Sequence, residues 1–115
     1  MIITENMIKR LENGIVALSD AIRRGSEHER TVYGTCSADQ VSWYRQRKEE
    51  LTALILFVNG LYGRIPTHHD CYVNVIALIR VCERINGLQD LPRLLRKIIG
   101  DENGDVRINT IYKAI

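Results

Sequence analysis

Ile8, Leu11, Ile15, Leu18 and Ile22 recur at steps of 3, 4, 3 and 4 residues. On a helix these positions share one narrow stripe, whereas on a strand they would scatter over both faces. So regular a stripe commits this part of the chain to an amphipathic helix that must bury one side. Thr4 suits its N-cap, and Glu5 suits the positive end of its dipole. Arg23 and Arg24 suit the negative end, and Gly25 supplies a stop, so the pattern predicts a first helix over 5–24. Residues 25–36 then read as a polar connector, with Val32 and Tyr33 available to pin its middle to the core.

The second helix has the strongest start signal. Ser37-Ala38-Asp39-Gln40 matches a capping box, flanked by Cys36 and Val41 as a hydrophobic staple. Its first half, through Glu50, is charged and amphipathic. Its second half, Leu51 to Tyr62, is apolar on most sides, the mark of a helix covered by several neighbours. Val41, Tyr44, Leu51, Ile55, Val58 and Tyr62 follow a heptad broken by Lys48, and the economical partner for this line is the stripe on the first helix, in an antiparallel hairpin. A second copy of the chain is the alternative partner for part of that seam, giving a helical homodimer.

Gly63 to Pro66 ends the second helix. Thr67-His68-His69-Asp70 reads as another capping-type opening, and a third helix is expected from there to about Ile85. Cys71, Val75, Leu78, Cys82 and Ile85 form its stripe, widened by Tyr72, Ile76 and Ile79, with Asn86-Gly87 as a left-handed end. Asp90 is expected to cap a fourth helix that carries Pro92 in its first turn, turns Leu91, Leu94, Leu95, Ile98 and Ile99 inward, and closes at Gly100. Ile108, Ile111, Tyr112 and Ile115 predict a short last helix. A hairpin across Asn103-Gly104 is the competing reading of that segment.

The expected fold is therefore all-α, a compact bundle of four main helices plus a short C-terminal one, in a single domain over 1–115. With 115 residues, 45% of them hydrophobic and 26% charged, one core can form without disulfide staples. Thr52, Asn59 and Gly60 interrupt the longest apolar run, which is too short for a bilayer, so no membrane is expected as a partner. The first ten residues lack the pattern of a secretory leader. Three cysteines, an odd number, fit reduced thiols and a cytoplasmic location.

Chemistry-bearing patterns are sparse. His68 and Cys71 share a helix face at i and i+3, but a zinc site wants four ligands, and Cys82 lies roughly 16 Å along the same axis. Capping imidazoles and core thiols explain these residues, and no metal is expected. Asp101, Asn103 and Asp105 copy the first spacings of a calcium loop, yet Tyr112 stands where a bidentate Glu is required. Glu49 and Glu50 diverge by about 100° on a helix and are no paired acid and base. No nucleophile elbow, phosphate loop or metalloprotease motif occurs, so neither an enzyme nor a cofactor is expected.

Two binding surfaces remain. Residues 63–100 hold six basic residues against Asp70, Glu83 and Asp90. Arg80, Arg84, Arg93, Arg96 and Lys97 on the third and fourth helices could therefore face nucleic acid phosphates. The two helices imitate a helix-turn-helix in length, but Leu91 and Pro92 occupy the place where base-reading side chains belong. The favoured surface is the start of the second helix. Trp43, Tyr44, Arg45 and Arg47 combine residue types enriched in interface hot spots, so the leading expectation is a non-catalytic module that binds another protein as an adaptor, inhibitor or assembly factor.

Overall fold

The structure, a computed structural model, describes residues 3–32, 38–63, 72–100 and 104–115, with the side chains of 26–32 and 38–39 outside that description. The elements run α1 (Glu5–Val32), α2 (Ala38–Leu61), β1 (Tyr72–Asn74), α3 (Val75–Glu83), α4 (Asp90–Ile99), β2 (Asp105–Arg107) and α5 (Ile108–Ala114). The fold is all-α, and the described residues form four main helices and a short last one, with a single two-stranded ribbon. The Ser37 box, the 67–70 opening, His68, His69, Cys36, Cys71 and residues 101–103 lie outside the described residues.

The α1 stripe behaves as its spacing requires. Leu11, Leu18 and Ile22 are buried, and Ile8 and Ile15 are half-buried. Thr4 Oγ1 accepts from the Met7 N–H at 3.2 Å, the expected cap. The helix does not stop at Gly25, however, but runs on to Val32. A glycine weakens a helix without ending it. Here the missing Cβ has a packing use, since a Cβ at Gly25 would lie 3.0 Å from the Trp43 ring.

Trp43 against Gly25, Leu54 near Gly14, and Tyr62 Oη donating to Glu12 Oε1 at 2.5 Å trace one helix down as the other goes up. α1 and α2 thus form the expected antiparallel hairpin, which sets the long dimension of a 46 × 28 × 26 Å molecule. The face α2 buries differs from the expected line. Glu50, Ala53, Leu54, Phe57 and Val58 are buried, while Val41, Ile55 and Tyr62 are 44%, 38% and 46% exposed. In a helix apolar all round, periodicity does not choose the inner side; the neighbours do.

A third departure lies at residues 72–74. The expected third helix begins only at Val75, and Tyr72–Asn74 instead pairs antiparallel with Asp105–Arg107, in the register Tyr72↔Arg107, Val73↔Val106, Asn74↔Asp105. Asn74 ends the strand and caps the helix, its Oδ1 accepting from Ala77 N–H at 3.0 Å. The last segment is helical as expected, and its strand partner is this distant segment rather than a local hairpin. α3 closes at Glu83, with Gly87 left-handed at φ +85. The N-cap of α4 is Gln89 rather than Asp90, which stands one place inside; Gly100, at φ +54, ends that helix.

The core gathers on Phe57, Leu54, Leu78, Leu88, Leu91, Leu95, Ile108 and Ile111. α5 is held to α2 by Tyr112, whose ring stacks on Phe57 at 5.8 Å and whose hydroxyl donates to the Phe57 carbonyl at 2.5 Å. Gly60 makes the space, because a Cβ there would sit 2.0 Å from the Tyr112 hydroxyl. Gly60→Ala should therefore cost about 1–3 kcal/mol, the usual scale of overpacking. In urea denaturation the loss should shrink when Tyr112→Ala is already present, because the two changes share one contact.

Candidate interaction surface

α2 carries the two features from which a site could be built, one on each side. On its inner side, Glu50 is completely buried. A carboxylate leaves water only when its oxygens are met by donors and its charge is balanced. Arg84 supplies a two-pronged grip, Nη2 donating to Oε1 and Nη1 to Oε2 at 3.3 Å. Arg80 Nε donates to Oε2 at 3.2 Å, and Arg47 Nη1 approaches Oε1 at 3.4 Å from within the helix. Arg80 Nη2 also stands 3.9 Å from Glu49. Three guanidinium groups thus roof one carboxylate, with Arg80 and Arg84 one turn apart on α3.

This cluster is structural in its chemistry. Guanidinium does not release a proton, and both oxygens of Glu50 are engaged from two sides, so neither partner is placed to move a proton. Glu49 and Glu50 diverge as the helical spacing predicts, and among the described residues Arg80 alone touches both. Next to the cluster, Glu83 on α3 accepts from Arg96 on α4. Arg93 lies 3.9 Å from Asp90. Four of the five cations expected to face nucleic acid, Arg80, Arg84, Arg93 and Arg96, thus have carboxylate partners within the chain, and Lys97 makes no such pair among the described residues. Leu91 and Pro92, at the start of α4, are buried.

The open spaces are shallow. One of about 280 Å³ lies between α3 and α4, lined by Cys82, Glu83, Ile85, Gln89, Pro92, Arg93 and Arg96. Another of about 440 Å³ lies between α2 and the strands, where Arg45 and Lys48 offset Glu49 and Asp105. No group of three or more metal-ligating side chains occurs among the described residues. Cys82 is a free, buried thiol; burial, helped by the Glu83 charge, pushes its pKa up to about 12.

The outer side of α2 is the second feature. Val41, Lys48, Ile55 and Tyr62 stand seven residues apart and all are exposed, with Tyr44 and Leu51 half-buried beside them. Across the hairpin Val16 on α1 is 61% exposed, and Glu12, which holds Tyr62, marks the same side. The residues expected as a partner-binding cluster divide between the two sides. Trp43 is half-buried on Gly25, and Arg47 reaches inward to Glu50. Tyr44 lies under Lys48, whose Nζ is 4.8 Å from the ring centre, and Arg45 is exposed. Val16 is off the α1 stripe, and no pattern in the sequence singled it out.

No family, characterised protein or solved structure matches the chain in sequence or fold. No helix among the described residues is long and apolar enough to cross a membrane.

Replacing Glu50 by Gln keeps its shape and removes its charge, leaving three guanidinium groups about a neutral amide. The variant should lose about 3–5 kcal/mol of stability in urea denaturation, the cost of breaking a buried ion pair from one side. Because the folded-state pKa of Cys82 lies above its ordinary 9.0, the unfolded chain sheds that proton first. The stability this thiol contributes is full below pH 9 and is lost as pH rises towards 12. In alkylation followed by peptide mapping at pH 8, Cys82 should react only when the chain is unfolded.

Proposed function

We propose that the chain is a non-catalytic, cytoplasmic helical interaction module, an adaptor, inhibitor or assembly factor that works by binding another protein. The observation that carries this reading is the exposure of Val41 and Ile55 on α2, Tyr62 just past its end and Val16 on α1, large apolar side chains left in water around Lys48. Scattered surface apolar residues need no explanation, but an aligned set on two paired helices marks a surface that meets something. Tyr44 and Arg45 belong to this face, as residue types that anchor interfaces.

Several features support the non-catalytic part. Both oxygens of the buried Glu50 carboxylate are held by guanidinium groups, although Arg47 Nε and Arg80 Nη2 are buried without a hydrogen-bond partner among the described residues, and Cys82 is held as an unreactive thiol. A free thiol in a chain with three cysteines fits a reducing compartment.

The test is capture from native-host lysate on the tagged chain, with and without nuclease, against an Ile55→Glu/Arg45→Glu variant. One protein retained near stoichiometry in both halves, and lost on the variant with helical circular dichroism unchanged, is the expected result. Recovery that disappears with nuclease would overturn the reading and return attention to Lys97 and the arginines of α3 and α4. Trp43 and Arg47 are unsuitable as probes, because their loss would disturb the packing of the hairpin itself.

A further inference from the structure

We draw no further inference here: the strongest candidate, the outer face of the α1–α2 hairpin where Val16, Val41, Ile55 and Tyr62 are exposed, carries none, because Glu12, Arg23 and Lys48 beside it are already engaged within the chain and nothing in the structure shows what covers it.

Discussion

Glu50 is a carboxylate with no access to water, and almost everything about the middle of the molecule can be traced to that. The ion is tolerated only if donors reach both of its oxygens, and two of its three guanidinium partners come from a different helix. α3 must therefore cross α2 with Arg80 and Arg84 opposite position 50, and the helix must stay regular between them, since they reach the same carboxylate from successive turns. An apolar contact surface would tolerate sliding by part of a turn, with other side chains filling the gap. A fork of hydrogen bonds tolerates far less, because geometry fails quickly when donors and acceptors are misplaced.

The same residue fixes the rotation of α2 about its own axis. Counting 100° per residue from Glu50, positions 41, 48, 55 and 62 lie about 180°, 160°, 140° and 120° away. Burying Glu50 therefore turns that whole line outward, and the exposures of Val41, Ile55 and Tyr62 follow from it. The most polar residue on the inner side decides where the apolar residues of the outer side go. The heptad along α2 is thus legible in the sequence while its direction is not. A helix whose second half is apolar all round offers two acceptable inner faces, and a single buried ion chooses between them. Arg80 and Arg84, one turn apart, were visible as a pair, but a pair of cations four residues apart also describes an ordinary solvated helix.

Elsewhere legibility follows how local the determining physics is. The stripe of α1, the inward leucines of α4, and the ends at Gly87 and Gly100 rest on spacing and on backbone freedom within a few residues, so the sequence displays them. The extension of α1 through Gly25 depends on the ring of Trp43 arriving from another helix. The strand at 72–74 depends on a partner more than thirty residues away, and its residues, Tyr-Val-Asn, fit a helical stripe as easily as a strand. Asn74 is a good cap, hidden because the stripe from Cys71 already reads as helix before it. Capping residues declare a boundary only when the boundary is already suspected.

Charge counting misleads for a related reason. The surplus of basic residues in 63–100 is real, yet the chain turns much of it back on itself: Arg80 and Arg84 neutralise an anion contributed by α2, and Arg96 meets Glu83 on the neighbouring helix. A guanidinium already forked onto a carboxylate must give up that bond before it can hold a phosphate, so its electrostatic worth to a nucleic acid is reduced by what it abandons. The apolar residues of the outer hairpin face give up nothing but water when covered, and covering them is favourable in proportion to the area removed from solvent. The outer side of α2 thus keeps Val41 and Ile55 in water, and the buried ion on the inner side holds that side in position.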